Sequence, residues 1–192
     1  MKRIFSALLA ALLICLCFSA PAESTVSFKE EASRITSRIN DFMNQYYGFE
    51  MMFSSIQEVV PEEICAFFST DADVQLLYVA NQQTKTADSC SIISDTPDDL
   101  PLALNVACIL PIANLNFSEG MDVSPAFHDD VMALANWFDS ISGDVYAALT
   151  GGEVAGFSFT ESADFYVELL TTPTEEGSRM LINHYFHPAP IA

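Results

Sequence analysis

Three histidines, His128, His184 and His187, carry the acid–base chemistry available to this chain near neutral pH. His184 belongs to the run Arg179–Phe186, whose alternation reads as a strand. On it His184 shares a face with Met180, Ile182 and Phe186, whereas His187 shares the other with Asn183 and Tyr185. If Pro173–Gly177 turns a simple hairpin, Tyr166 lies across from His184, with Asp164 and Glu168 close by. A histidine beside a carboxylate on a half-buried face can serve as a general base, and a hydrogen-bonded core histidine has the same pattern. His128, followed by Asp129 and Asp130, offers donors to a divalent metal if His184 or His187 arrives from the last strand. The same three residues equally suit the first turns of a helix, where the dipole favours acids.

Spaced motifs are lacking. Gly156-Phe157-Ser158-Phe159-Thr160 has the first glycine and serine of a nucleophile elbow but not its second glycine, and it lies mid-strand, not at a strand-to-helix turn. Gly151-Gly152 is followed by no lysine and serine or threonine of a phosphate loop, and no HExxH occurs. Asp71-Ala72-Asp73 lacks the glycine and closing glutamate of a calcium loop. Asp98-Asp99 and Glu175-Glu176 sit beside prolines or in turns as solvated pairs, without the cross-cleft spacing that glycoside hydrolysis needs. Cys65, Cys90 and Cys108 show no CxxC, so neither a zinc knuckle nor a thioredoxin-like pair is present. Three single bridges are conceivable among them, and burial as free thiols is the other reading. The sequence thus assigns no catalytic residue, no metal ligand and no cofactor.

The first residues read as an export tag. Lys2 and Arg3 precede the apolar run Ile4–Phe18, and Ala20-Pro21-Ala22 supplies small residues before Glu23, predicting a cleaved signal peptide over 1–22. The apolar run is shorter than the roughly 20 residues a membrane-spanning helix requires. Lipidation at Cys15 or Cys17 is disfavoured by Ile14 and Leu16, which occupy places that want small residues. Lys2 and Arg3 leave with the tag, whereas all 26 acids follow it, so 5 bases face 26 acids and the formal charge moves from −19 to −21. Between Arg38 and Arg179 the only base is Lys85. Such a field repels phosphate backbones and anionic lipid, excluding nucleic acid and, after cleavage, the membrane as partners, and it draws in cationic ones.

These residues must be positioned by one domain, expected over 23–187 with a tail at 188–192, since no linker, repeat or low-complexity tract divides the chain. Ser27 and Glu30 form a capping box, and Phe28, Ala32, Ile35, Ile39, Phe42 and Tyr46 recur at helical spacing up to Gly48. Phe49, Met52, Ile56 and Val59 continue a helical period towards Pro61. Val74, Leu76, Tyr78 and Ala80 alternate as a strand; Gln82–Asp88 is a polar turn, and Ser89–Ile93 pairs back. The run Leu102–Leu110 between Pro101 and Pro111 suits a strand in length, though a helix also accommodates it. A second helix starts at Ser124-Pro125, presents Phe127, Val131, Leu134, Ala135 and Phe138, and is expected to stop at Ser142-Gly143. Strands up to Leu149, over Val154–Thr160, Ala163–Thr171 and Arg179–Phe186 complete a meander. The fold class is α+β: N-terminal helices and a second helix packed on one face of a mostly antiparallel sheet ending in a β-meander.

Compartment and chemistry together predict a secreted protein, extracellular or periplasmic. Its expected role is a non-enzymatic binding or interaction domain for a small ligand, a peptide, or an envelope or cationic protein partner. A secreted hydrolase, metal-assisted or using His184 with a carboxylate, is the alternative. An acidic calcium-dependent surface module is the third.

Overall fold

The structure, a computed structural model, describes residues 26–49, 52–81, 86–115 and 124–186. The segment expected to be a signal peptide, 1–22, the expected tail at 188–192, His187 and most of the polar turn after Ala80 lie outside the described residues. Helix α1 spans Phe28–Tyr47 and opens on the expected capping box. Glu30 N–H donates to Ser27 Oγ at 3.3 Å, and Ser27 N–H donates to the Glu30 carboxylate at 2.9 Å. Gly48 closes the helix in the left-handed conformation, φ 75°, which glycine reaches without strain.

The helical period read beyond Gly48 is overturned. Strand β1 covers Phe53–Val60 and is exposed on both faces for most of its length, with only Phe53 buried. An edge strand of this kind carries no period-2 signal, so its sparse apolar residues matched a helix by accident. Strand β2, Ile64–Ser69, has no counterpart among the elements expected from the sequence: its core residues Cys65 and Phe67 flank Ala66, buried on the other face, which erases the alternation. Strands β3, Val74–Ala80, and β4, Ala87–Ser94, form the expected pair.

The run between Pro101 and Pro111 is helical, not extended: α2 spans Leu100–Asn114. Pro101 occupies the first turn, where a missing N–H has no intrahelical acceptor to lose. Ala103, Val106, Ala107, Cys108, Ile109 and Leu110 are all buried. A helix that is apolar all round presents no stripe to read.

Helix α3, Pro125–Gly151, begins as expected, with Phe127 N–H donating to Ser124 Oγ at 3.1 Å. It does not stop at Gly143, whose α-carbon faces open space, and the strand expected up to Leu149 is its last two turns. Val145, Ala148 and Leu149 continue the buried stripe, and Gly152, φ 68°, ends the helix instead. Strands β5 (Ala155–Phe159), β6 (Tyr166–Thr174) and β7 (Gly177–Tyr185) follow.

All seven strands join one antiparallel sheet in the order β1-β2-β3-β4-β7-β6-β5. Alternate residues of β3, β4, β6 and β7 are buried, and the helices lie on that face. Thr36 of α1 bonds to Tyr78, Trp137 of α3 packs on Phe159, and α2 wedges between α1 and α3. The fold is therefore α+β, a helical layer over one face of an antiparallel sheet, whose other face carries no helix among the described residues. No described helix is long and apolar enough to cross a membrane.

Candidate functional site

The two faces divide the candidate residues between them. On the helix-covered face one lateral row runs from strand to strand through Cys65, Tyr78, Cys90, His184, Val167 and Phe159. Thr36 Oγ1 donates to the Tyr78 hydroxyl at 3.2 Å, and Cys90 stands opposite Tyr78 on the next strand. Burial pushes the Cys90 thiol and the Tyr78 hydroxyl well above their ordinary ranges and raises Cys108 to about 12. Cys65, Cys90 and Cys108 are all free and buried, so none of the conceivable bridges forms and no thiolate is on offer.

His184 is wholly buried, its ring against Phe186 at 6.4 Å, and neither ring nitrogen has a hydrogen-bond partner in the structure. Burial alone lowers its pKa from the ordinary 6.5 to about 3. Alternation had placed it correctly beside Met180 and Ile182, but the expected neighbour is wrong. Val167, not Tyr166, lies across from His184, because a two-residue turn, Glu175-Glu176, sets Thr174 opposite Gly177. A one-residue change of register moves every side chain to the other face. Tyr166 and Glu168 therefore lie on the far side of the sheet from His184, and Asp164 precedes β6 altogether. A fully buried imidazole, with no carboxylate across from it, is not arranged to take a proton from a substrate.

His128 stands in the first turns of α3, its Nδ1 3.6 Å from Asp129 Oδ1. Asp130 accepts from Ser162 Oγ at 2.7 Å, tying the helix to the loop before β6. Among the described residues no three His, Cys, Asp or Glu side chains form a group able to hold a metal, so His128, Asp130 and His184 do not converge. Asp71 accepts from Thr70, and Asp73 N–H donates to Asp99 at 2.9 Å: these are loop ties.

The helix-free face holds what the register error hid. Tyr166 O–H donates to Glu168 Oε1 at 2.7 Å, and Tyr185 O–H donates to Glu168 Oε2 at 3.4 Å. The two rings lie 5.6 Å apart with planes inclined by 32°. Burial, and then the Glu168 carboxylate that accepts its proton, push Tyr166 up to about 12; Tyr185 moves the same way for the same causes. Across the next rungs Ser91 Oγ donates to Asn183 Oδ1 at 2.7 Å. A polar row, Ser158, Glu168, Asn183 and Ser91, thus crosses four strands, flanked by half-exposed Leu77, Ile93, Leu181 and Leu170. A carboxylate has about four acceptor positions, and two tyrosines fill only part of that capacity. Among the described residues the arginine–carboxylate pairs are Arg34–Glu31 and Arg179–Asp95, and neither brings a cation to Glu168.

Alternation along β7 puts Asn183 and Tyr185 on the face opposite His184, as the sequence pattern predicts; the register of β6 is what it leaves open. No family model matches the chain, and neither a curated protein nor a solved structure is similar to it.

Proposed function

We propose that this chain is an exported, non-enzymatic interaction domain whose binding surface is the helix-free face of the sheet. The observation that carries the reading is the Tyr166–Glu168–Tyr185 cluster, held by its own hydrogen bonds amid half-exposed apolar side chains. Tyrosines supply large contact area with few rotatable bonds, and a mixed polar and apolar surface of this kind resembles the make-up of protein interfaces. Export is supported by the basic, apolar and small-residue succession of residues 2–22 and by the acidic remainder. Nothing in the described geometry favours the hydrolase or the calcium-dependent module over this reading.

The test is photocrosslinking in the native host. A photoreactive amino acid at Leu77 or Leu181, on the helix-free face, should give a discrete saturable adduct in the extracytoplasmic fraction. The same group at the exposed Ser140 of α3 should not. Adducts of equal yield from both faces, or from neither, would overturn the assignment of the surface. A mature protein beginning at Met1 in the cytosol would overturn export.

A further inference from the structure

The sheet has two edges, and the chain treats them differently. The β1 edge is blunted in the ways edge strands usually are: its pairing breaks register twice, between Phe53 and Ser55 and between Glu58 and Val60, it carries the charged Glu58, and Pro61 follows it directly. The β5 edge has none of these devices. Ala155 to Phe159 pair in unbroken register with Thr171 to Val167, and the strand contains no proline, no bulge and no charged side chain. Among the described residues nothing bonds across its outer side. A regular strand left unpaired is a row of main-chain donors and acceptors for one more strand.

The surroundings of that edge are anionic. Glu153 precedes β5, Glu161 and Asp164 follow it, and all three are exposed. Ser158 stands opposite Glu168, so a side chain added beside Ser158 on the helix-free face lies two strand spacings, about 10 Å, from Glu168. An extended lysine or arginine and the glutamate together bridge that gap. Pairing two β5 edges from separate copies would instead bring Glu153, Glu161 and Glu168 of both chains together.

We infer that the β5 edge accepts an extended, basic polypeptide segment of a partner as an eighth strand, with Glu168 receiving one of its cationic side chains. The inference rests on the interaction-domain reading and adds to it the class of partner and the mode of docking.

The probe is a short synthetic peptide of alternating lysine and valine. Its counterparts are an alternating glutamate and valine peptide and a lysine–valine peptide N-methylated at alternate amides, which keeps the charge but removes main-chain donors. The lysine–valine peptide should bind the full-length protein and slow hydrogen exchange at β5 amides while leaving β1 amides unchanged. N-methylation should weaken binding about a hundredfold, through the loss of several main-chain bonds. The variant Ser158→Lys should weaken it about tenfold by like-charge repulsion, and Gln57→Lys on the opposite edge should leave it unchanged. Absence of binding, equal affinity for the glutamate peptide, or indifference to N-methylation would overturn the inference. So would a dimer of the protein alone whose β5 amides are already protected. Peptide binding without β5 protection would overturn the edge inference while leaving the face reading intact. Protection of β5 without crosslinking from Leu77 or Leu181 would sink the face reading instead.

Discussion

His184 holds two unpartnered nitrogens in the core and stays neutral, and both facts have a measurable consequence. An orphaned buried polar group costs about 1–3 kcal/mol, so His184→Leu, of similar bulk, should stabilise the protein by an amount of that order at neutral pH. The pH dependence has a definite sign. The folded pKa, about 3, is below the unfolded 6.5, so the unfolded chain binds the extra proton and stability falls as pH drops through this window. The gap between variant and wild type should widen by at most about 1.4 kcal/mol per pH unit below 6.5. Urea unfolding of both proteins across that range measures it, and the comparison cancels the easing of carboxylate repulsion that both share. A variant less stable than wild type, with a constant gap, would show that a partner or water satisfies the ring. Sequence alternation was enough to assign His184 to the face of Met180 and Ile182. It could not supply the register, because the Pro173–Gly177 segment accommodates more than one turn, and one residue of slip separates a histidine–carboxylate pair from a histidine among apolar groups.

At the level of elements, α1 organises its neighbours through polar side chains that periodicity does not reveal. The Asn40 side chain donates to Phe53 O at 2.8 Å and accepts from Phe53 N–H at 2.9 Å, imitating a neighbouring strand at the start of β1. Arg34 and Arg38 donate to the carbonyls of Ala113, Asn114 and Leu115, where α2 ends without a basic residue of its own. Asn40→Ala leaves both Phe53 groups without that partner and should cost about 1–2 kcal/mol, while Asn40→Asp, which retains the acceptor alone, should cost less. Native-state hydrogen exchange locates the effect. The amides of β1 should open more readily than those of β3, and a uniform loss would count against a local role. These contacts also explain which elements were legible. The α1 stripe and the alternation of β3, β6 and β7 arise from surfaces buried on one side only. The misread segments are the edge strand β1, with too little buried surface, and β2 and α2, with apolar side chains on too many sides. The turns of α3 past Gly143 were lost because a glycine on an open helix face is a weaker stop than it looks in sequence.

For the whole molecule the governing quantity is a formal charge of −19 spread over a chain with only 7 lysines and arginines. Two of the described arginines are committed to Glu31 and Asp95, so most carboxylates face one another across solvent. Self-repulsion of this kind destabilises the compact state and is screened by salt, because the Debye length contracts from about 30 Å at 0.01 M to about 3 Å at 1 M. The midpoint of thermal unfolding should therefore rise as sodium chloride is added over that range. Calcium separates this diffuse effect from a dedicated site. Divalent cations accumulate around any strongly anionic surface, but a specific calcium site needs six to eight oxygen ligands in one place, and no described cluster of acids provides the beginnings of one. Millimolar calcium and magnesium should then shift the midpoint by similar amounts, with both shifts shrinking when sodium chloride is already high. A calcium shift that exceeds the magnesium shift and survives high salt would mean that a ligand set binds the folded state alone. That result would restore the calcium-dependent module and require the acidic surface to be regarded as a binding site in its own right, not as the field that draws a basic strand to the β5 edge.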